Sequence, residues 1–155
     1  MSTYVAVVGP SEASDDELAD AEAVGRRLAE RGHVVLCGGH GGVMEAVARG
    51  AAGVGGTVVG ILPGTDRSAA NPYVTVAIPT GLGELRNALL VRSADVVVSV
   101  GGSWGTLNEV ALAVRTGVPV VALRGWSLPG DPALHPVGSV DEALHSVDTL
   151  ALGDG

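Results

Sequence analysis

Lysine and phenylalanine are both missing from this 155-residue chain, and all nine of its basic residues are arginine. Without lysine there is no internal Schiff base for pyridoxal phosphate. Nor is there the lysine that a Walker-type P-loop places on its phosphates. A single cysteine, Cys37, excludes an intrachain disulfide. Aromatic residues make up only 3% of the chain, so valine, alanine and leucine must build the core. No apolar stretch reaches membrane-spanning length without glycine or charge. The start, Met1-Ser2-Thr3-Tyr4, has neither a basic segment nor the apolar core of a signal peptide. A cytoplasmic protein that engages no membrane is the expectation. Net charge is −8, with no basic stripe and no aromatic-basic interleaving, which argues against nucleic acid as a partner. His33, His135 and His145 form no ligand spacing with Cys37 or one another, so no metal site is expected.

What is present is glycine, 24 residues of it, clustered after apolar runs. Tyr4–Val8, Val34–Cys37, Thr57–Leu62, Val74–Ile78, Asp95–Val100 and Pro119–Leu123 read as strands. Several are continuously apolar, as strands buried on both faces of a parallel sheet are. Between them lie helical patterns. Ser14-x-x-Glu17 and Ser139-x-x-Glu142 are capping boxes that open two helices, the second reaching about Leu150. Helices are also expected over 43–53, 82–93 and 107–116. Residues 65–73 read as an ordered loop or lid, residues 125–137 as a loop and Gly153-Asp154-Gly155 as a frayed end. The alternation predicts an α/β fold: one three-layer, Rossmann-like, doubly wound domain over 1–155, with a mainly parallel sheet.

In such a sheet ligands sit beyond the carboxyl ends of the strands. Gly9-Pro10-Ser11, Gly38-Gly39-His40-Gly41-Gly42 and Gly101-Gly102-Ser103-Trp104-Gly105-Thr106 all fall there and should share one crevice. The last loop runs into a helix, whose free N–H groups with the Thr106 hydroxyl suit an anion such as phosphate. The spacing is not that of a dinucleotide fingerprint, and no acidic residue ends the second strand to hold a ribose, so nicotinamide is disfavoured. Glu109 has two readings: a capping-box partner of Thr106, or a site carboxylate. Arg86 is a surface residue or a site cation, and His40 a loop residue or a donor. Trp104 and Trp126 wall the crevice, or an interface, or are simply buried. The small-residue helices at 43–53 and 83–93 offer faces for pairing with a second copy.

Taken together, Arg86-Asn87, Asp95, Gly101–Glu109, Gly38–Glu45 and Gly60-Ile61-Leu62-Pro63 resemble the LOG-like (LONELY GUY) Rossmann superfamily. That superfamily contains nucleoside 5′-monophosphate phosphoribohydrolases and molybdenum cofactor carriers. The resemblance implies catalytic roles for Arg86 and Glu109. It implies ligand or phosphate contacts from Ser11, Gly38, Gly39, Gly41, Gly42, Met44, Asn87, Gly102, Ser103, Gly105 and Thr106. It also implies a homodimer or higher oligomer and no required cofactor. Gly101 stands where the hydrolases carry proline and Ser103 where they carry a second glycine. Asn87 and Asn108 replace residues that are often lysine and acidic. These departures are closest to the short, molybdenum cofactor carrier-like branch. The implied function is binding of a phosphorylated, nucleotide-like small molecule, with molybdenum cofactor among the candidates. The alternative is a phosphoribohydrolase that releases free base and ribose 5-phosphate.

Overall fold

A computed structural model describes residues 2–153. Seven strands form one sheet: β1 (Tyr4–Val8), β2 (Val34–Cys37), β3 (Val58–Leu62), β4 (Val76–Pro79), β5 (Val96–Val100), β6 (Val120–Leu123) and β7 (Leu134–Val137). Five helices accompany them: α1 (Asp15–Glu30), α2 (Val43–Ala52), α3 (Arg86–Arg92), α4 (Trp104–Thr116) and α5 (Val140–Ala151). The strand order is β4-β3-β2-β1-β5-β6-β7, and all six neighbouring pairs are parallel. The chain winds outward from β1 to β4, then returns to place β5 against the other side of β1. The carboxyl ends of β1 and β5 therefore flank the topological switch point, where a crevice opens.

Alternate side chains of the central strands feed two cores. Val5 and Val7 of β1, with Val96, Val98 and Val100 of β5, face α1, α2 and α5. Ala6 and Val8, with Val97, face α3 and α4. This is why the strands read as unbroken apolar runs: both faces are covered. The α1–α2 crossing is especially close. A methyl group on Gly25 or Gly50 would run into the backbone of the facing helix, at Val47 and Glu22 respectively. The small face of residues 43–53, expected to be free for pairing with a second copy, is thus taken up by α1.

Four further expectations change. Residues 125–137 are not all loop, because Leu134–Val137 pairs with β6. Its His135-Pro136 sequence lacks alternation, but an edge strand tolerates proline. β4, the opposite edge, ends in Pro79 and begins two residues later than its sequence pattern implies. The expected helix over 82–93 starts with a 3-10 turn at Gly83–Leu85, and α3 proper begins at Arg86. The third helix in that pattern, α4, starts at Trp104 rather than 107. The Ser14–Glu17 capping box forms as expected. At α5 only half of it does: Ser139 accepts from Glu142 N–H, while the Glu142 carboxylate turns to Gly138 N–H. The expected frayed end falls partly on Asp154 and Gly155, outside the described residues. No described helix is long and apolar enough to cross a membrane.

Candidate functional site

At the switch point lies a cavity of about 170 Å³. Its wall takes Gly9 and Ser11 from the loop after β1, Gly38 after β2, and Met44 from α2. Arg86 and Asn87 come from the start of α3, and Ser103, Gly105, Thr106 and Glu109 from α4. The three glycine-bearing loops thus converge on one point.

Ser103 explains the local geometry of α4. Its backbone is extended and its Oγ accepts from the Thr106 N–H at 3.2 Å, so it is the N-cap. Its hydroxyl also pairs with the Thr106 hydroxyl at 2.9 Å. The Thr106–Glu109 capping box anticipated from sequence therefore does not exist. Thr106 lies three positions inside the cap, and Glu109 is a mid-helix residue with no capping duty. The Thr106 N–H, expected to meet an anion, is already satisfied within the helix end. The first-turn N–H groups of Trp104 and Gly105 have no intrahelical acceptor, and Gly105 lines the cavity. At α2, Gly42 provides the N-cap with no side-chain cap, and its φ of +66° suits glycine.

Arg86 is held deep in the crevice. Its Nη1 donates to the carbonyl of Gly38 and to that of Ile61, both at 2.8 Å, and its Nε to Asn87 Oδ1 at 3.0 Å. Asn87 in turn donates to Asn108 Oδ1 at 3.1 Å. Gly38 makes this docking possible: a Cβ there would come within 2.6 Å of Met44 Sδ and 2.7 Å of the Arg86 guanidinium. Among the described residues Arg86 takes part in no ion pair, unlike Arg27, Arg31, Arg49 and Arg124. Burial lowers its pKa from the usual arginine value, and the nearby Glu109 opposes that shift. Burial also pushes the Glu109 carboxyl up to about 7, against the pull of Arg86. Arg86 and Glu109 thus face one cavity as a guanidinium and a carboxyl that is half protonated near neutrality.

Of the other residues named from sequence, Gly39, Gly41, Gly42 and Gly102 do not line the cavity. Gly39 packs on Leu62, and Gly42 lets α2 approach the carbonyls of Pro10 and Ser11. Gly102 leaves room for the Trp126 ring, which would stand 3.0 Å from an added Cβ. Gly41 has nothing within 4 Å of such an atom. His40 is outside the cavity wall, and burial, aided by Arg86, lowers its pKa from the usual histidine value. Cys37 is buried and its thiol is pushed up to about 11, which makes it inert. Sequence reasoning missed Asn71 as an organiser: its N–H and side chain bind the carbonyls of Gly39 and His40, pinning residues 65–73 to the glycine loop. An Asn-Pro pair after a polar stretch is the only signal of it in the sequence. Among the described residues no three histidine, cysteine, aspartate or glutamate side chains converge as a metal site.

A family model for the SLOG cluster4 family matches residues 2–149. A protein of Archaeoglobus fulgidus is 42% identical over 120 residues, 77% of this chain and 79% of that one. A probable cytokinin riboside 5′-monophosphate phosphoribohydrolase of Oryza sativa subsp. japonica is 33% identical over 93 residues; the match spans 58% of this chain and 38% of that protein. Among solved structures, the molybdenum cofactor binding protein of Rippkaea orientalis superposes with a TM-score of 0.90 at 32% identity, covering 97% of this chain and 98% of that one. The Moco carrier protein of Chlamydomonas reinhardtii does so with a TM-score of 0.90 at 33% identity, covering 98% and 99%.

Proposed function

The chain belongs to the SLOG cluster4 family of LOG-like Rossmann proteins, and on that premise we propose that it binds a phosphorylated, nucleotide-like small molecule at the β1/β5 switch point. Molybdenum cofactor, itself a phosphorylated pterin, is the leading candidate for its cargo. One observation carries the reading: the free N–H of Gly105 at the start of α4 and the Arg86 guanidinium, which makes no ion pair among the described residues, border the same cavity. Together they suit a phosphate. The cavity is too small for a whole nucleotide-sized ligand, so it takes the phosphate end and leaves the remainder to the open groove outside. Glu109 does not forbid an anion there, since its raised pKa lets it take up a proton as the ligand enters. Native mass spectrometry of the purified protein tests the proposal. Retention of a phosphorylated ligand by the wild type, and its loss in Arg86→Ala, is the expected result. A charged hydrogen bond contributes about 1.5–3 kcal/mol, so the variant should bind ribose 5-phosphate at least about tenfold more weakly by calorimetry.

The second reading is hydrolysis of a nucleoside 5′-monophosphate, favoured by the presence of Glu109 and Arg86 on the wall of one cavity. A carboxyl titrating near 7 is suited to general acid-base work, worth about 10²–10⁴-fold in rate. Arg86 would hold the sugar phosphate. Wild type and Glu109→Gln incubated with AMP, GMP and CMP distinguish turnover from carriage. Base released by the wild type alone supports the enzyme, and no release across the panel removes it. Homodimer assembly and a cytoplasmic location belong to the same reading, and sedimentation measures the first.

A further inference from the structure

The two tryptophans of the chain sit together next to Ser103, a residue of the cavity wall. Trp104 opens α4 and is 77% exposed. Trp126 lies against it, with ring centroids 5.1 Å apart and planes tilted by 40°. Trp126 is itself anchored, its indole N–H donating to the Ser103 carbonyl at 3.2 Å. Large exposed aromatics are costly to leave in water, and this one is propped in place. Beside it a groove of about 440 Å³ runs between α3 and α4. Leu85, Ala88 and Leu112 give it apolar walls, and Asn108 supplies an amide. Gly105 and Asn87 border both this groove and the phosphate-sized cavity, so the two adjoin.

We propose that Trp104 is a stacking platform for a planar heterocycle whose phosphate occupies the adjoining cavity. The proposal rests on the phosphorylated-ligand reading and deepens it: the ligand class is a fused, nitrogen-rich ring joined through a short linker to phosphate. A phosphorylated sugar alone would leave the groove and the ring unused. An aromatic face accepts any such ring, and Asn108, whose Oδ1 already accepts from Asn87, keeps its amide N–H groups to donate to a ring carbonyl in the groove. Guanine shares its 2-amino-4-oxo pyrimidine edge with pterins, which makes GMP a suitable probe. Ribose 5-phosphate is the same molecule without the base.

The test is calorimetric titration of both probes into wild type, Trp104→Ala and Trp104→Phe. GMP should bind the wild type more tightly than ribose 5-phosphate does. Trp104→Ala should lose about tenfold or more of GMP affinity, as stacking contributions to base binding do on alanine substitution. Its ribose 5-phosphate affinity should stay within about twofold, and Trp104→Phe should restore most of the GMP affinity. Equal GMP binding by wild type and Trp104→Ala overturns the platform. So does equal loss of both probes, which marks a structural role. A changed sedimentation mass in Trp104→Ala with unchanged GMP affinity also overturns it and assigns the ring to an interface between copies. Ribose 5-phosphate bound as well as GMP by the wild type overturns stacking and leaves the phosphate site standing. Binding of neither probe removes both readings.

Discussion

Glu109 is where the bland and the chemical readings of one residue part. In the sequence it sits three positions after a threonine and could simply cap a helix. The structure puts the cap at Ser103 and leaves the carboxyl in a cavity beside Arg86. Its pKa is raised from 4.5 to about 7. The folded state therefore holds this proton where the unfolded chain has lost it, and the contribution to stability falls as pH rises from about 4.5 through about 7. Urea unfolding at pH 5 and pH 8 should show the wild type losing roughly 2–3 kcal/mol more than Glu109→Gln over that interval. Gly38 offers a second test at this scale. The atoms an added methyl would strike are the ends of the Met44 and Arg86 side chains, not backbone. Gly38→Ala should therefore fold, with Tm little changed, but displace Arg86 and weaken ribose 5-phosphate binding several-fold by calorimetry. Neither the role of Gly38 nor that of Gly102 was legible beforehand: a glycine that clears space for an arginine or a tryptophan looks, in a sequence, like one that clears space for a ligand.

Among the elements, those with strong local signals were readable and those defined by their neighbours were not. β1, β2 and β5 announce themselves as valine-rich runs, and α1 by its capping box. β7 carries no such signal, because its place is set by backbone pairing with β6 and only half-buried side chains. The start of α4 was misplaced by three residues, since Ser103 follows two glycines and its capping depends on an extended backbone. Ser103→Ala should cost about 1 kcal/mol in denaturant unfolding and leave the Thr106 hydroxyl without its partner. The α1–α2 crossing makes a sharper demand. In Gly25→Ala the methyl would meet the Val47 backbone, and neither helix can yield without moving its neighbours. Overpacking of this kind costs about 1–3 kcal/mol, so a Tm drop of several degrees is expected by calorimetry, in contrast to Gly38→Ala.

For the molecule as a whole, the fold class was legible because parallel α/β alternation is a global pattern that single errors do not disturb. So was the location of the crevice, which follows from strand order. The division of labour among its residues was not, because it depends on which side chains already have partners. The same strand order makes the two ends of the sheet unequal. α5 is the last element, yet its Ala143, Leu144 and Val147 are buried against the core that also contains α1, α2 and the central strands. Arg27 of α1 and Arg31, which caps its carboxyl end, pair with Asp141 and Asp148 of α5. Removing residues 138–155 would expose the β5 and β6 face. Such a truncation should lose the cooperative thermal transition by circular dichroism rather than melt a few degrees lower.

Arg86 closes the ends of two strands as well as facing the crevice, since its guanidinium grips the carbonyls after β2 and within β3. A free arginine carries about 2 kcal/mol of rotamer entropy. Here that freedom is surrendered during folding, before any ligand arrives. The cation is preorganised, so the phosphate proposed for this cavity would not have to immobilise it. Under that proposal, discrimination between ligands rests on fit to a fixed charge rather than on a side chain that adapts to each.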